Sequence, residues 1–255
     1  MQAITEIAKF TFSDAIRNKI FYGVFAFLIL LFITAAALAS VTMGRTELMI
    51  SDLGLGSISI LGNLMTIVIA IQALQQERES RTLYVLVTRL EQRWKYIAGK
   101  FIGLAAVLAL QIILMCALLS LCITIFGNIF WQSYFQACLT TVLEIWLVLA
   151  VALLFAQSSS LFLAMLLTLA VDIAGRFTFT IRQLGEQSDN PVLQALTQAM
   201  YYVLPNLEAV NLRNQAGYIA QYNWSQLVQI LGYSISEIAL LLCVCSLIFQ
   251  RKNLS

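Results

Sequence analysis

Four ionisable residues lie inside otherwise uncharged apolar runs: Glu144, Asp172, Arg176 and Glu237. A lone ionised side chain at the middle of a bilayer costs roughly 2.5–3.5 kcal/mol on insertion scales, so such groups face protein or water and mark candidate translocation paths or gates. Asp172 and Arg176 are four positions apart and pair along one face of a helix. Arg176 can also snorkel to the outer surface. A local pair easing the end of a short span and a part in a translocation path both fit this spacing. Glu144 and Glu237 have no basic neighbour in sequence, and protonation or hydrogen bonds to Thr141, Ser234 or Ser236 would satisfy them. Two carboxylates can in principle do acid–base work. The chain has no histidine, however, which removes histidine-based nucleophile activation and histidine metal ligands together. Two functions draw on these acids: an ion-coupled or passive carrier working through Glu144 and Glu237, and an intramembrane enzyme.

A second concentration of charge runs from Glu77 to Lys100. Glu77 and Glu79 come early in it and Arg93 and Lys95 late, an order that suits a helix dipole. Leu83, Val85, Leu86, Val87 and Leu90 supply an apolar side. A short helix lying across the membrane base could press that side upward and offer its charges to a partner. A solvated loop rich in cytoplasmic lysine and arginine is the plainer alternative.

The elements that must carry these residues follow from composition. Hydrophobic residues make up 60% and charged residues 11% of the 255 positions, with a mean hydropathy of +0.85. A soluble domain has about a quarter of its residues charged, so the solvent of this chain is mostly lipid. The expected class is an all-α integral membrane protein forming one transmembrane domain over 1–255. Its six spans are expected at 20–43, 53–74, 97–126, 135–156, 161–177 and 227–249, each long enough to cross, with the fifth short. Residues 2–18 are expected as an amphipathic interfacial helix. Ile4, Ile7, Ala8, Thr11, Phe12, Ala15 and Ile16 recur at helical spacing, with Glu6, Lys9, Ser13, Asp14 and Arg17 opposite. The external region 178–226 holds both prolines, Pro191 and Pro205, and the aromatic set Tyr201, Tyr202, Tyr218, Tyr222 and Trp224. It reads as short helices against the outer leaflet. Gly54, Gly56 and Gly62, and Gly99 with Gly103, permit close helix contact, including at a dimer interface.

With the amino terminus inside, eleven of the fifteen basic residues fall on the cytoplasmic side, leaving Arg45, Arg176, Arg182 and Arg213 outside. The positive-inside rule therefore places both termini in the cytoplasm. The first 19 residues carry Glu6, Lys9, Asp14, Arg17 and Lys19, which is not the pattern of a cleavable signal. The five cysteines sit in apolar runs and read as small buried hydrophobes rather than disulfide or metal ligands. A net charge of +2 gives no footprint for nucleic acid.

The segment Glu77 to Phe101 resembles the loop after the second span in permease subunits of type 2 ABC exporters, nearest in look to the multicopper-enzyme-maturation and gliding-type permeases. Glu77, Glu79, Thr82, Leu83, Leu86, Arg93, Gly99 and Lys100 match the pattern. It departs where the family often has proline, Thr88 being followed by Arg89. The resemblance implies a coupling helix over 76–96, with Glu77, Arg78, Glu79, Arg81, Thr82, Leu83, Leu86, Arg89 and Arg93 docking on a cytoplasmic ATPase. It implies two ATPase copies, a second permease copy, identical or homologous, and external helices before the last span that help close the outward exit. It also implies a bacterial inner membrane. The chain holds no Gly-x-x-x-x-Gly-Lys-Ser/Thr, so nothing in it cradles a nucleotide phosphate. No cofactor or metal is expected here, ATP and Mg being bound by the partner. The expected cargo is amphipathic or lipid-like.

Overall fold

Lipid offers a backbone no hydrogen bonds, so every N–H and C=O must be bonded within the protein. The computed structural model describes residues 2–18, 24–30, 33, 46–79, 94–126, 131–187, 191–213 and 223–251, and among these the chain is helical with no strand. The helices are α1 (Gln2–Asn18), α2 (Thr46–Glu79), α3 (Trp94–Phe126), α4 (Trp131–Ser158), α5 (Leu161–Arg176), α6 (Thr178–Glu186), α7 (Pro191–Val203) and α8 (Trp224–Arg251), with a 3-10 turn at Glu208–Val210 between the last two. Four of them, α2, α3, α4 and α8, are long and apolar enough to cross a membrane. A fifth crossing results if α5 and α6, bent by 60° at Phe177, count as one span. The first expected span, 20–43, lies largely outside the described residues. Within it 24–30 is helical, with Phe27 buried and Phe25 and Ile29 exposed.

The second span runs longer than its apolar stretch. At 1.5 Å per residue the 34 residues of α2 reach roughly 50 Å, beyond the hydrocarbon on both sides. Extending the helix keeps the backbone bonded as the chain passes through the headgroups, which hydropathy alone does not register.

Between spans in lipid, apolar burial gains little, because lipid is as apolar as leucine. Close packing and polar contacts decide the arrangement. A β-carbon on Gly54 would run into Leu119, and one on Gly62 would meet Ile145 and Ile112, so α2 lies tightly against α3 and α4. Tyr134 Oη donates to Cys116 O at 2.7 Å and Trp146 Nε1 donates to Ala105 O at 3.1 Å, so α3 and α4 run antiparallel. The apolar core includes Leu104, Leu108, Ile112, Met115 and Leu119 of α3 and Leu147, Leu149 and Leu153 of α4, all fully buried.

Helix α1 is seated on α3. Its Thr11 is buried, Ile7 and Phe12 pack on the core, and Glu6, Lys9 and Ser13 are exposed, as the periodicity predicts. A β-carbon on Gly103 would lie 2.8 Å from Ala8 O and from Thr11 Cβ. The small residue at 103 therefore serves contact with α1 of the same chain, where its spacing had also allowed a dimer interface.

Candidate functional site

Helix α5 ends where its carbonyls turn to other donors. Gly175 O accepts from Leu207 N at 3.1 Å and from Thr178 Oγ1 at 3.1 Å, and Phe177 N donates to Ala174 O. The chain bends there into α6, which packs antiparallel to α7: Gly185 abuts Thr197, and Arg182 lies 4.9 Å over the Tyr201 ring while pairing with Glu186 at 2.8 Å. Proline starts α7, where a missing N–H costs nothing, and Pro205 follows its end, where the helix cannot continue.

After α7 the chain turns inward. Pro205, Leu207 and Val210 are buried, and Leu207 and Val210 belong to the main core. Asn206 N donates to Tyr233 Oη of α8 at 2.7 Å, and Asn206 Oδ1 accepts from Ala209 N, capping the 3-10 turn. Non-helical backbone at membrane depth is tolerated only where protein covers it. Residues 204–213 form an inward-folded plug against α4, α5 and α8, with Pro205, Leu207 and Val210 covered and Glu208 and Ala209 exposed.

At the tip of the plug is a buried charge network. Glu144 of α4 is 2% exposed. Its Oε1 accepts from Arg176 Nη2 at 2.7 Å, Ser59 Oγ at 3.0 Å and Asn63 Nδ2 at 3.1 Å, and its Oε2 accepts from Arg213 Nη1 at 3.4 Å. Asp172, also buried, accepts from Asn63 Nδ2 at 3.1 Å and pairs with Arg176 Nε at 3.5 Å. Two carboxyl side chains and two guanidiniums meet here, opposite formal charges in equal number.

The structure thus joins three of the four intramembrane residues picked from sequence, Glu144, Asp172 and Arg176. Thr141 and Ser236 do not serve Glu144 or Glu237: their hydroxyls donate to Ala137 O and Tyr233 O of their own helices. Glu237 stands half-buried on α8, and among the described residues no ion pair includes it. Sequence reading missed Ser59, Asn63 and Arg213. The pair Ser59 and Asn63, polar and four apart inside an apolar span, was the available signal; Arg213 gave none beyond its charge.

Of the expected docking residues, Glu77 is described with its side chain. It is turned inward: Lys100 Nζ pairs with Glu77 Oε1 at 2.5 Å, and Tyr96 Oη donates to Glu77 Oε2. Lys100 and Tyr96 are 4% and 1% exposed, Lys100 also donates to Ala73 O at 3.4 Å, and the Tyr96 ring stacks on Phe249 of α8 at 5.7 Å. Arg78 and Glu79 continue the backbone of α2. Arg81, Thr82, Leu83, Leu86, Arg89 and Arg93 lie outside the described residues.

Compared with known families, the chain matches the sequence model described as ABC-2 family transporter protein over residues 5–254. No curated protein matches the chain.

Proposed function

This chain belongs to the ABC-2 transporter family and is a multi-pass membrane permease subunit, and we propose that it serves an ATP-driven type 2 exporter for an amphipathic or lipid-like molecule. In this reading ATP and Mg are bound and hydrolysed by a separate cytoplasmic ATPase, present in two copies. A second permease copy, identical or homologous, completes the path. Both termini face the cytoplasm of a bacterial inner membrane, and a coupling segment within 76–96 docks on the ATPase.

The observation that carries the reading is the plug and its tether. Residues 204–213 pack against α4, α5 and α8, and Arg213 reaches Glu144 near the middle of α4. That contact, at 3.4 Å, is the longest made by Glu144, which keeps Arg176, Ser59 and Asn63 when Arg213 leaves. Releasing the plug therefore strands no carboxylate, which suits an exit gate that must open and reclose. The same pairing counts against a carrier that works through Glu144, because two arginines already occupy that carboxylate.

The test is a mild-detergent pull-down of the tagged chain from its native membrane. A stoichiometric ATPase with a phosphate-binding loop is expected to co-purify and to be lost when Glu79→Arg and Arg81→Glu are combined. A clean preparation without any ATPase would turn the reading toward a carrier.

A further inference from the structure

The two helices that flank the charged segment are fastened to each other just inside it. Glu77 sits two residues before the end of α2, and Tyr96 and Lys100 lie within the first two turns of α3. The Glu77 carboxylate holds both, Oε1 on the Lys100 ammonium at 2.5 Å and Oε2 on the Tyr96 hydroxyl. Lys100 is 4% exposed and carries a second bond, to Ala73 O on the preceding turn of α2. Behind Tyr96, Phe249 stacks with an interplanar angle of 22°, so α8 joins the same knot. A lysine buried this deeply depends on its carboxylate, because breaking the pair would leave its charge uncompensated.

We propose that Glu77, Lys100 and Tyr96 form a clamp that makes α2, α3 and α8 move as one body when the segment between Glu79 and Trp94 is pushed by the ATPase. Glu77 is then a positioning residue behind the docking surface and no part of that surface. This deepens the exporter reading and rests on it. An unclamped pair of helix ends could splay apart, and a push on the intervening segment would be absorbed there. Clamped, the same push reaches the far end of the bundle, where Tyr233 of α8 holds Asn206 of the plug.

The experiment uses the chain purified with the ATPase it retains and placed in lipid nanodiscs, with Glu208→Cys on the exposed side of the plug as a thiol reporter. Three quantities are read: ATPase retained, ATP hydrolysis, and the ATP-driven change in maleimide labelling at position 208 over the background of the native cysteines. Glu77→Gln is expected to keep the ATPase yet lose the labelling change. The exchange Glu77→Lys with Lys100→Glu should restore it. Tyr96→Phe, which removes one hydroxyl and no charge, should lose part of it and guards against a variant that fails to fold. Loss of the ATPase from Glu77→Gln would make Glu77 a docking contact and overturn the clamp. So would a normal labelling change in Glu77→Gln and Tyr96→Phe, or a defect that the exchange leaves unrepaired. A wild-type chain that retains no ATPase overturns the exporter reading itself, and the clamp with it.

Discussion

Glu144 is the residue on which the buried network converges, and its partners are unequal. Arg176 at 2.7 Å is the close one, and it also serves Asp172. Replacing Arg176 by Gln leaves two buried carboxylates facing one distant guanidinium, and breaking a buried pair in this way costs about 3 kcal/mol or more. Unfolding in mixed micelles should register that loss. Glu144→Gln combined with Arg176→Gln should cost less than the sum of the two single changes, because the pair is removed together. Arg213→Gln removes only the longer contact, and its cost should be smaller, on the order of 1 kcal/mol. Its effect belongs instead to the plug, read as faster labelling of Glu208→Cys. Equal destabilisation by the Arg176 and Arg213 changes would contradict the order of strengths drawn from the distances.

Helix α1 shows how one glycine sets the place of a whole element. The amphipathic pattern alone allows α1 to float on the membrane surface, with its apolar side down. Gly103 draws it onto α3 by letting Ala8 and Thr11 come within a β-carbon's reach. Gly103→Leu must push the α1 backbone away, and overpacking of this kind costs typically 1–3 kcal/mol. Amide exchange across residues 2–18 should rise in that variant. Gly56→Leu is the matched control, since nothing lies within 4 Å of a β-carbon built there, and it should leave exchange in α1 unchanged. If both variants behave alike, α1 is held by lipid and not by α3.

At the scale of the molecule, the contacts fix which helix ends share a side. Glu77 meets Lys100, and Phe249 meets Tyr96, so the end of α2, the start of α3 and the end of α8 lie together. The antiparallel run of α3 and α4 brings Ser159 to that same end. Asn223, at the start of α8, lies at the other. Impermeant maleimide should therefore label Ser159→Cys and Asn223→Cys from opposite faces of the membrane; labelling from one face would contradict the contacts that set the ends of α4 and α8. Much of this was legible in the residues. Helix type, the lipid surroundings, the long spans and the amphipathic side of α1 follow from hydropathy and period, which are local properties that lipid enforces by denying the backbone other partners. The bend at Phe177 was not legible, because Gly175 O is claimed by Leu207, 32 positions on. Nor were the partners of Glu144, since Ser59 precedes it by 85 positions and Arg213 follows by 69. The sequence by itself determined that charges inside apolar runs must be satisfied by protein or water. Only the tertiary structure decided by which residues, because in a bundle of near-equivalent apolar helices the choice of neighbours rests on small-residue contacts and polar bonds that have no period along the chain.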